Sequence, residues 1–204
     1  MKLKEKIIIE SLKLFSAKGF LNTTISDVME ASGTSKGGLY NHFRNKGELF
    51  SAVLEESRRR WREINLAGLD GIDSPIGKII RILENYRDRY LAGSSDVPGG
   101  CIFIRVSLES SDLADQWPEI AREISEGFDR FKAMILRYLD HAKSTGEIEA
   151  GVDTAETTDM VFSSMMGASV MYSMDKSGEN LNKNITSIIR FVDSKRNRFR
   201  KEAS

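Results

Sequence analysis

Residues Thr23–Lys46 read TTISDVMEASGTSKGGLYNHFRNK, and the punctuation of this stretch decides the fold. Thr24, with Asp27 three residues on, has the form of a helix start, and Val28 and Ala31 are expected to face inward. Gly33 breaks that helix after Ser32. Ser35 can cap a third, short helix through Phe43, and Asn45 can cap a fourth beginning near Lys46. The link Gly33-Thr34-Ser35 has the length of the turn in a helix-turn-helix, where glycine permits the sharp bend. In such a unit the second helix enters the DNA major groove with its N-terminal residues at the base edges. Those positions are Lys36, Gly37 and Gly38. Glycine inside a helix costs about 1 kcal/mol relative to alanine. Two in succession suit a backbone that must come close to something, and a DNA strand is one candidate. Leu39 and Phe43 anchor the helix, which leaves Tyr40, Asn41 and His42 outward. Tyrosine and histidine can bond phosphate or stack on sugar, and Asn41 can read a base edge. His42 also suits an ordinary surface position.

Outward from this stretch, apolar residues recur at three- and four-residue steps, and two-residue alternation is hard to find. Ile8, Leu12 and Phe15 form a first helical stripe, stopped by Gly19. The fourth helix runs to about Ala67. Pro75 opens a fifth that ends near Ala92, and Gly93–Gly100 is the clearest loop. A short helix is predicted from Cys101 to about Ser110, then a long one from Asp115 or Gln116 to about Ser144. Asp153 with Glu156 caps the next, to about Met174. The last carries Leu181, Ile185, Ile188, Val192 and Phe199 on one face. The expectation is an all-α chain of about nine helices, with residues 1–47 as a helix-turn-helix domain and 48–204 as a helical bundle.

The 204 residues include 30 basic and 30 acidic side chains. The zero sum is a cancellation. Residues 1–65 carry +4, residues 66–189 carry −8 and residues 190–204 carry +4. Basic ends on an acidic middle fit a nucleic-acid module carried by an acidic body, and equally a patchy solvated surface. The six basic residues from Arg190 to Lys201 read as a solvated helix end rather than a DNA contact. One cysteine excludes a disulfide framework and a Cys-rich zinc site, and suits a reducing cytosol. Two histidines, His42 and His141, leave little for a metal or catalytic cluster. No apolar run approaches the length of a membrane span, and the apolar start at Ile7–Ile9 meets Glu10 at once, unlike a signal peptide. No cofactor is expected.

Residues 8–54 resemble the DNA-binding domain of the TetR family of one-component repressors. The resemblance rests on Leu12–Phe20 (LKLFSAKGF), Thr23–Lys46 and Glu48–Phe50 (ELF). It implies DNA contacts, mostly to phosphates, from Thr24, Ser35, Lys36, Tyr40, His42 and Lys46. Gly37 and Asn41 join that set from the helix-turn-helix reading. Gly38 departs from the pattern, since many members carry a hydroxyl or larger side chain there, so no contact is carried over from it. Lys46 opposes the dipole of the helix it opens, which makes it a poor structural choice and a better phosphate ligand.

The same resemblance implies a C-terminal domain that binds a small effector and forms the homodimer. Five of the eight methionines lie between Met160 and Met174, among Ser163, Ser164, Gly167, Ala168 and Ser169. Adaptable methionines and small residues suit a helix with one face on a partner chain and another on an effector; they also suit plain core packing. The apolar stripe of the last helix is expected to complete a four-helix dimer interface. An effector pocket would be lined by Tyr86, Tyr90, Phe103, Trp117, Phe128, Met165 and Met166, with Arg105 or Glu109 as polar determinant. Cys101 stands at a predicted helix start, where the dipole favours thiolate, with Arg105 one turn on. Gly99–Leu113 (GGCIFIRVSLESSDL) resembles a branch of the family with Gly-Cys at this point, some members of which sense electrophiles or oxidants. Without a second cysteine, an internal disulfide switch is excluded. Two readings of Cys101 stay open: a sensor thiol, or a small residue filling space beneath the loop.

The expected function is a cytoplasmic, homodimeric repressor that binds a pseudo-palindromic operator on double-stranded DNA and is released by a small molecule or electrophile. A helical adaptor that has lost DNA binding is the alternative. An enzyme using Cys101 with His141 is a further one, disfavoured because no orienting acid or oxyanion motif accompanies them.

Overall fold

A computed structural model describes residues 1–93 and 100–197. The loop read at Gly93–Gly100 falls mostly outside them, as do Phe199 and the last basic residues to Lys201. Ten α-helices are described: α1 (Leu3–Lys18), α2 (Ile25–Ser32), α3 (Lys36–Tyr40), α4 (Lys46–Asn65), α5 (Pro75–Asn85), α6 (Ile102–Ser107), α7 (Ser110–Gln116), α8 (Pro118–Ser144), α9 (Thr154–Asp175) and α10 (Gly178–Asp193). Strands are absent among the described residues, and the all-α expectation holds.

Two compact units are present, one of Met1–Arg62 with Gly93–Glu126 and one of Glu63–Ala92 with Gly127–Ser204. In the first, α1 packs on α2 and α6. Its core gathers Leu12, Phe15, Phe20, Val28, Leu39, Leu49, Phe50 and Leu54, all essentially inaccessible. Phe20 sits among three rings, those of Phe15, Phe50 and Trp117, at centroid distances of 5.8, 4.6 and 5.3 Å. In the second, α10 packs on α9 and α5. Ile76, Ile79, Ile82 and Leu83 of α5 are buried, as are Leu181, Ile185, Ile188 and Val192 of α10.

The helix count exceeds the expected nine because the segment after Cys101 divides. Glu109 N–H bonds the Val106 carbonyl at 3.0 Å, three residues back, and this tighter turn ends α6 before α7 begins. Pro118 then ends α7 by holding Trp117 out of the helical region, at φ −141° and ψ 62°. The fifth helix changes character at Tyr86–Leu91, which is π-helical: Ala92 N–H bonds the Arg87 carbonyl five residues back.

Other expectations are corrected. Ala31 is exposed, and Ser32 turns inward instead, its hydroxyl donating to the Val28 carbonyl at 2.6 Å. The third helix stops at Tyr40, although Phe43 remains buried. On α9 the methionines do not share a face. Met165 is buried with Ala168 and Ser169, whereas Met160, Met171 and Met174 are exposed together with Ser163, Ser164 and Gly167. The apolar stripe of α10 is consumed inside the chain and is not left for a partner.

Candidate nucleic-acid interface

The helix-turn-helix is built by two caps and one glycine. Thr24 Oγ1 accepts from Asp27 N–H at 3.1 Å, and Asp27 Oδ2 accepts from Thr24 N–H at 2.7 Å, which closes a capping box on α2. The Thr24 amide first, and then the Thr24 hydroxyl, which donates to the same Asp27 Oδ2 at 2.8 Å, hold the pKa of the Asp27 carboxyl down to about 2. At the other end Gly33 takes φ 65°, a left-handed conformation that glycine enters without penalty. Ser35 Oγ then accepts from Gly38 N–H at 3.1 Å and starts α3.

Five residues of helix cannot hold themselves, because nucleation is costly. Leu39 and Phe43, buried at either side of the turn that follows, supply the anchorage. Lys36, Gly37, Tyr40, Asn41 and His42 are exposed, as are Thr24 and Ser35. The two glycines have different reasons to be there. A Cβ on Gly38 would meet Thr34 Oγ1 at 2.5 Å, so a side chain there requires that hydroxyl to turn aside. A Cβ on Gly37 would meet nothing within 4 Å. Nothing within reach inside the chain requires glycine at 37. At the start of α4, Asn45 Oδ1 accepts from Glu48 N–H at 2.8 Å, the cap expected there. Glu48 in turn accepts from Arg44 N–H at 2.7 Å, the main cause of its lowered pKa.

Lys46 differs from the rest of the set. It is half-buried, its Nζ donates to the Leu21 carbonyl at 3.4 Å, and it lies 4.3 Å from the centre of the Phe20 ring. Desolvation lowers its pKa. Sequence reading found no structural partner for it because Leu21 offers only a backbone oxygen, distant along the chain.

The nine residues expected around an effector divide between the units. Tyr86, Tyr90, Phe128, Met165 and Met166 belong to the second. There the Tyr86 and Tyr90 rings stack at 5.5 Å, the Tyr86 hydroxyl is hydrogen-bonded to Ser169 Oγ, and Ser169 lies one turn from Met165 on α9. Phe128 packs separately, edge-on to Phe162 at 5.6 Å. Cys101, Phe103, Arg105 and Trp117 belong to the first unit. Cys101 is the N-cap residue of α6, as expected, and is 8% exposed. Phe103 faces the Arg58 guanidinium at 6.0 Å. Arg105 donates to the Lys18 carbonyl at 3.3 Å, and Trp117 lies edge-on to Phe20. Those last two thus serve the turn after α1. Among the described residues, no group of His, Cys, Asp and Glu is arranged to hold a metal ion, and no helix is long and apolar enough to cross a membrane.

Residues 7–53 match the model of the bacterial regulatory proteins of the tetR family, and residues 75–188 match that of the tetracyclin repressor-like C-terminal domain. The chain is 22% identical to the transcriptional repressor DhaR of Mycobacterium sp. (strain GP1) over 184 residues, 90% of this chain and 88% of that one. It is 38% identical to the regulator QacR of Staphylococcus aureus over 63 residues, 31% of this chain and about a third (34%) of that relative. A TetR regulator from Chloroflexus aurantiacus superposes with a TM-score of 0.80 at 26% identity, covering 95% of this chain and 96% of the other. A cysteine-substituted CifR bound to a 26-base-pair operator shares the fold, with a TM-score of 0.76 at 18% identity over 91% of this chain and 94% of CifR. With family models matching both regions, the chain belongs to the TetR family: a DNA-binding transcriptional repressor with an N-terminal helix-turn-helix, and not an enzyme.

Proposed function

We propose that this repressor acts in the cytoplasm as a homodimer whose two heads, each within residues 1–47, bind a pseudo-palindromic operator and are released by an effector bound within residues 48–204. The observation that carries the DNA reading is the outer face of α3: Lys36, Gly37, Tyr40, Asn41 and His42 are exposed while Leu39 and Phe43 lock the helix down. Thr24 and Ser35, at the two helix starts, complete the contact set. Dimer formation falls to the exposed stripe of α9, where Gly167, Ser163 and Ser164 allow close approach and Met160, Met171 and Met174 supply apolar area. For the effector, Tyr86, Tyr90, Met165, Met166 and Phe128 form the apolar set within one unit. Phe103, Arg105 and Trp117 are not carried into it.

The test is equilibrium binding to a duplex that the wild-type chain selects from a random-sequence library. Affinity should fall steeply with salt as phosphate contacts release counterions, with a slope of about −0.9 per contact. Failure to select any duplex at low salt ends the repressor reading and leaves the adaptor.

A second reading concerns the effector class. Cys101 at the start of α6 has the dipole that favours thiolate, which supports release by an electrophile. Its burial opposes that reading. Cys101→Ser should keep operator binding and lose release by N-ethylmaleimide; unchanged release ends the sensor reading.

A further inference from the structure

The turn Phe20–Leu21, between α1 and α2, is gripped by charge from two sides. Glu109 Oε2 accepts from both Phe20 N–H and Leu21 N–H, each at 3.0 Å. Lys46 Nζ takes the Leu21 carbonyl from the other side and lies against the Phe20 ring. A Cβ on Gly19, which sits at φ 88°, would collide with Glu109 Oε1. The residue before the turn is therefore shaped to admit this carboxylate. Arg105 adds a donor to the Lys18 carbonyl. Three residues beyond Leu21, Thr24 opens α2, so the path of this turn sets the direction in which α2 and α3 leave α1.

We propose that Glu109 and Lys46 are positioning residues for operator binding: together they fix the Phe20–Leu21 turn and so the pose of the helix-turn-helix, and Lys46 acts through this turn rather than as a phosphate ligand. The inference rests on the repressor reading. Glu109 bonds the amides, Lys46 bonds the carbonyl, and loss of either frees the same residue, Leu21. Their effects on affinity must then overlap, since residues acting through one shared element are not additive. A phosphate ligand behaves otherwise: its removal flattens the salt dependence by about 0.9 per contact.

The experiment measures the affinity of the selected duplex from low to high salt for wild type, Glu109→Ala, Glu109→Gln, Lys46→Met and the double variant Glu109→Ala/Lys46→Met. Lys46→Met keeps an apolar stem on Phe20, and Glu109→Gln keeps an acceptor for the amides. Each of Glu109→Ala and Lys46→Met should weaken binding about tenfold, the worth of one charge-assisted hydrogen bond. The double variant should be no more than about threefold weaker than either single one, Glu109→Gln should regain most of the loss, and no salt slope should change. Losses that multiply, a slope flattened in Lys46→Met, or unchanged affinity in the folded variants overturn the proposal. If Glu109→Ala does not fold, Glu109→Gln with Lys46→Met carries the same slope test. Failure of wild type to select any duplex strikes the repressor reading itself, which a failure confined to the variants does not.

Discussion

Two glutamates, one in each unit, hold backbone far away in sequence, and they do so on different terms. Glu147, in the turn after α8, accepts from Ser74 Oγ and from Arg196, and its second oxygen reaches Ile76 N–H at 3.5 Å. It ties the start of α5 to the chain beyond α10, where Asn197 N–H also bonds the Glu147 carbonyl at 2.8 Å. The charge is matched by a guanidinium, and both oxygens are used. Glu109 spends one oxygen on two amides, while the other is buried without a hydrogen-bond partner among the described residues. A matched pair fastens a corner and asks nothing further of it. An anion held by two amides, with the Lys46 charge nearby and one oxygen left over, is a costlier way to fasten a corner, and that cost is sensible where the position of the turn matters more than its stability.

That contrast can be broken or sharpened in several ways. Phe20→Ala removes the ring beneath the Glu109 corner and should cost about 3–5 kcal/mol in chemical denaturation, read by tryptophan emission. Both tryptophans, Trp61 and Trp117, fall in the first unit, so the emission reports that unit. Gly19→Ala forces a left-handed backbone on alanine and pushes against Glu109; a loss of about 3 kcal/mol is expected, partly recovered when Glu109→Ala is combined with it. A full loss in the combined variant would leave backbone strain as the whole effect. Glu147→Ala should cost only about 1–2 kcal/mol, because Arg196 reaches solvent, and should leave operator affinity unchanged below the melting range. An affinity change there would erase the distinction between the two corners. Gly37→Ala should raise stability by about 0.5–1 kcal/mol on helix propensity and weaken operator binding. Unchanged binding would remove the close approach as the reason for that glycine. Smallest is Asp27, whose carboxyl is lowered from 3.8 to about 2 by its bonds to Thr24. A depressed carboxyl stabilises above its unfolded pKa and loses that contribution as pH falls through its folded one. The acid limb between about pH 4 and pH 2 should therefore flatten in Asp27→Asn when followed by emission.

The legible parts of the molecule were those whose causes lie within a few residues. Thr24 with Asp27, Gly33, Ser35, Asn45 and Asp153 each satisfy helix ends locally, and each appears where its side chain and spacing place it. The break at Leu108–Glu109 was hidden because the apolar spacing runs on through Val106 and Leu113. Tyr86 and Tyr90 keep a four-residue step whether the backbone is α or π, so the π segment left no mark in the pattern either. Glu109 was singled out only for an effector. Its actual partners are amides 88 and 89 residues away, and a backbone amide carries no signature in a sequence. The exposed methionines of α9 were misread because composition does not say which face a residue takes.

The empty space around Gly37 also has a practical meaning. A side chain added there meets no atom within 4 Å, and the chain's one native thiol, Cys101, is buried. Gly37→Cys, made together with Cys101→Ser, thus gives a single reactive handle on the exposed face of α3. A bulky label attached at that point should shut the operator out where a methyl group only weakens its binding, so graded labels would gauge how closely the DNA comes to α3.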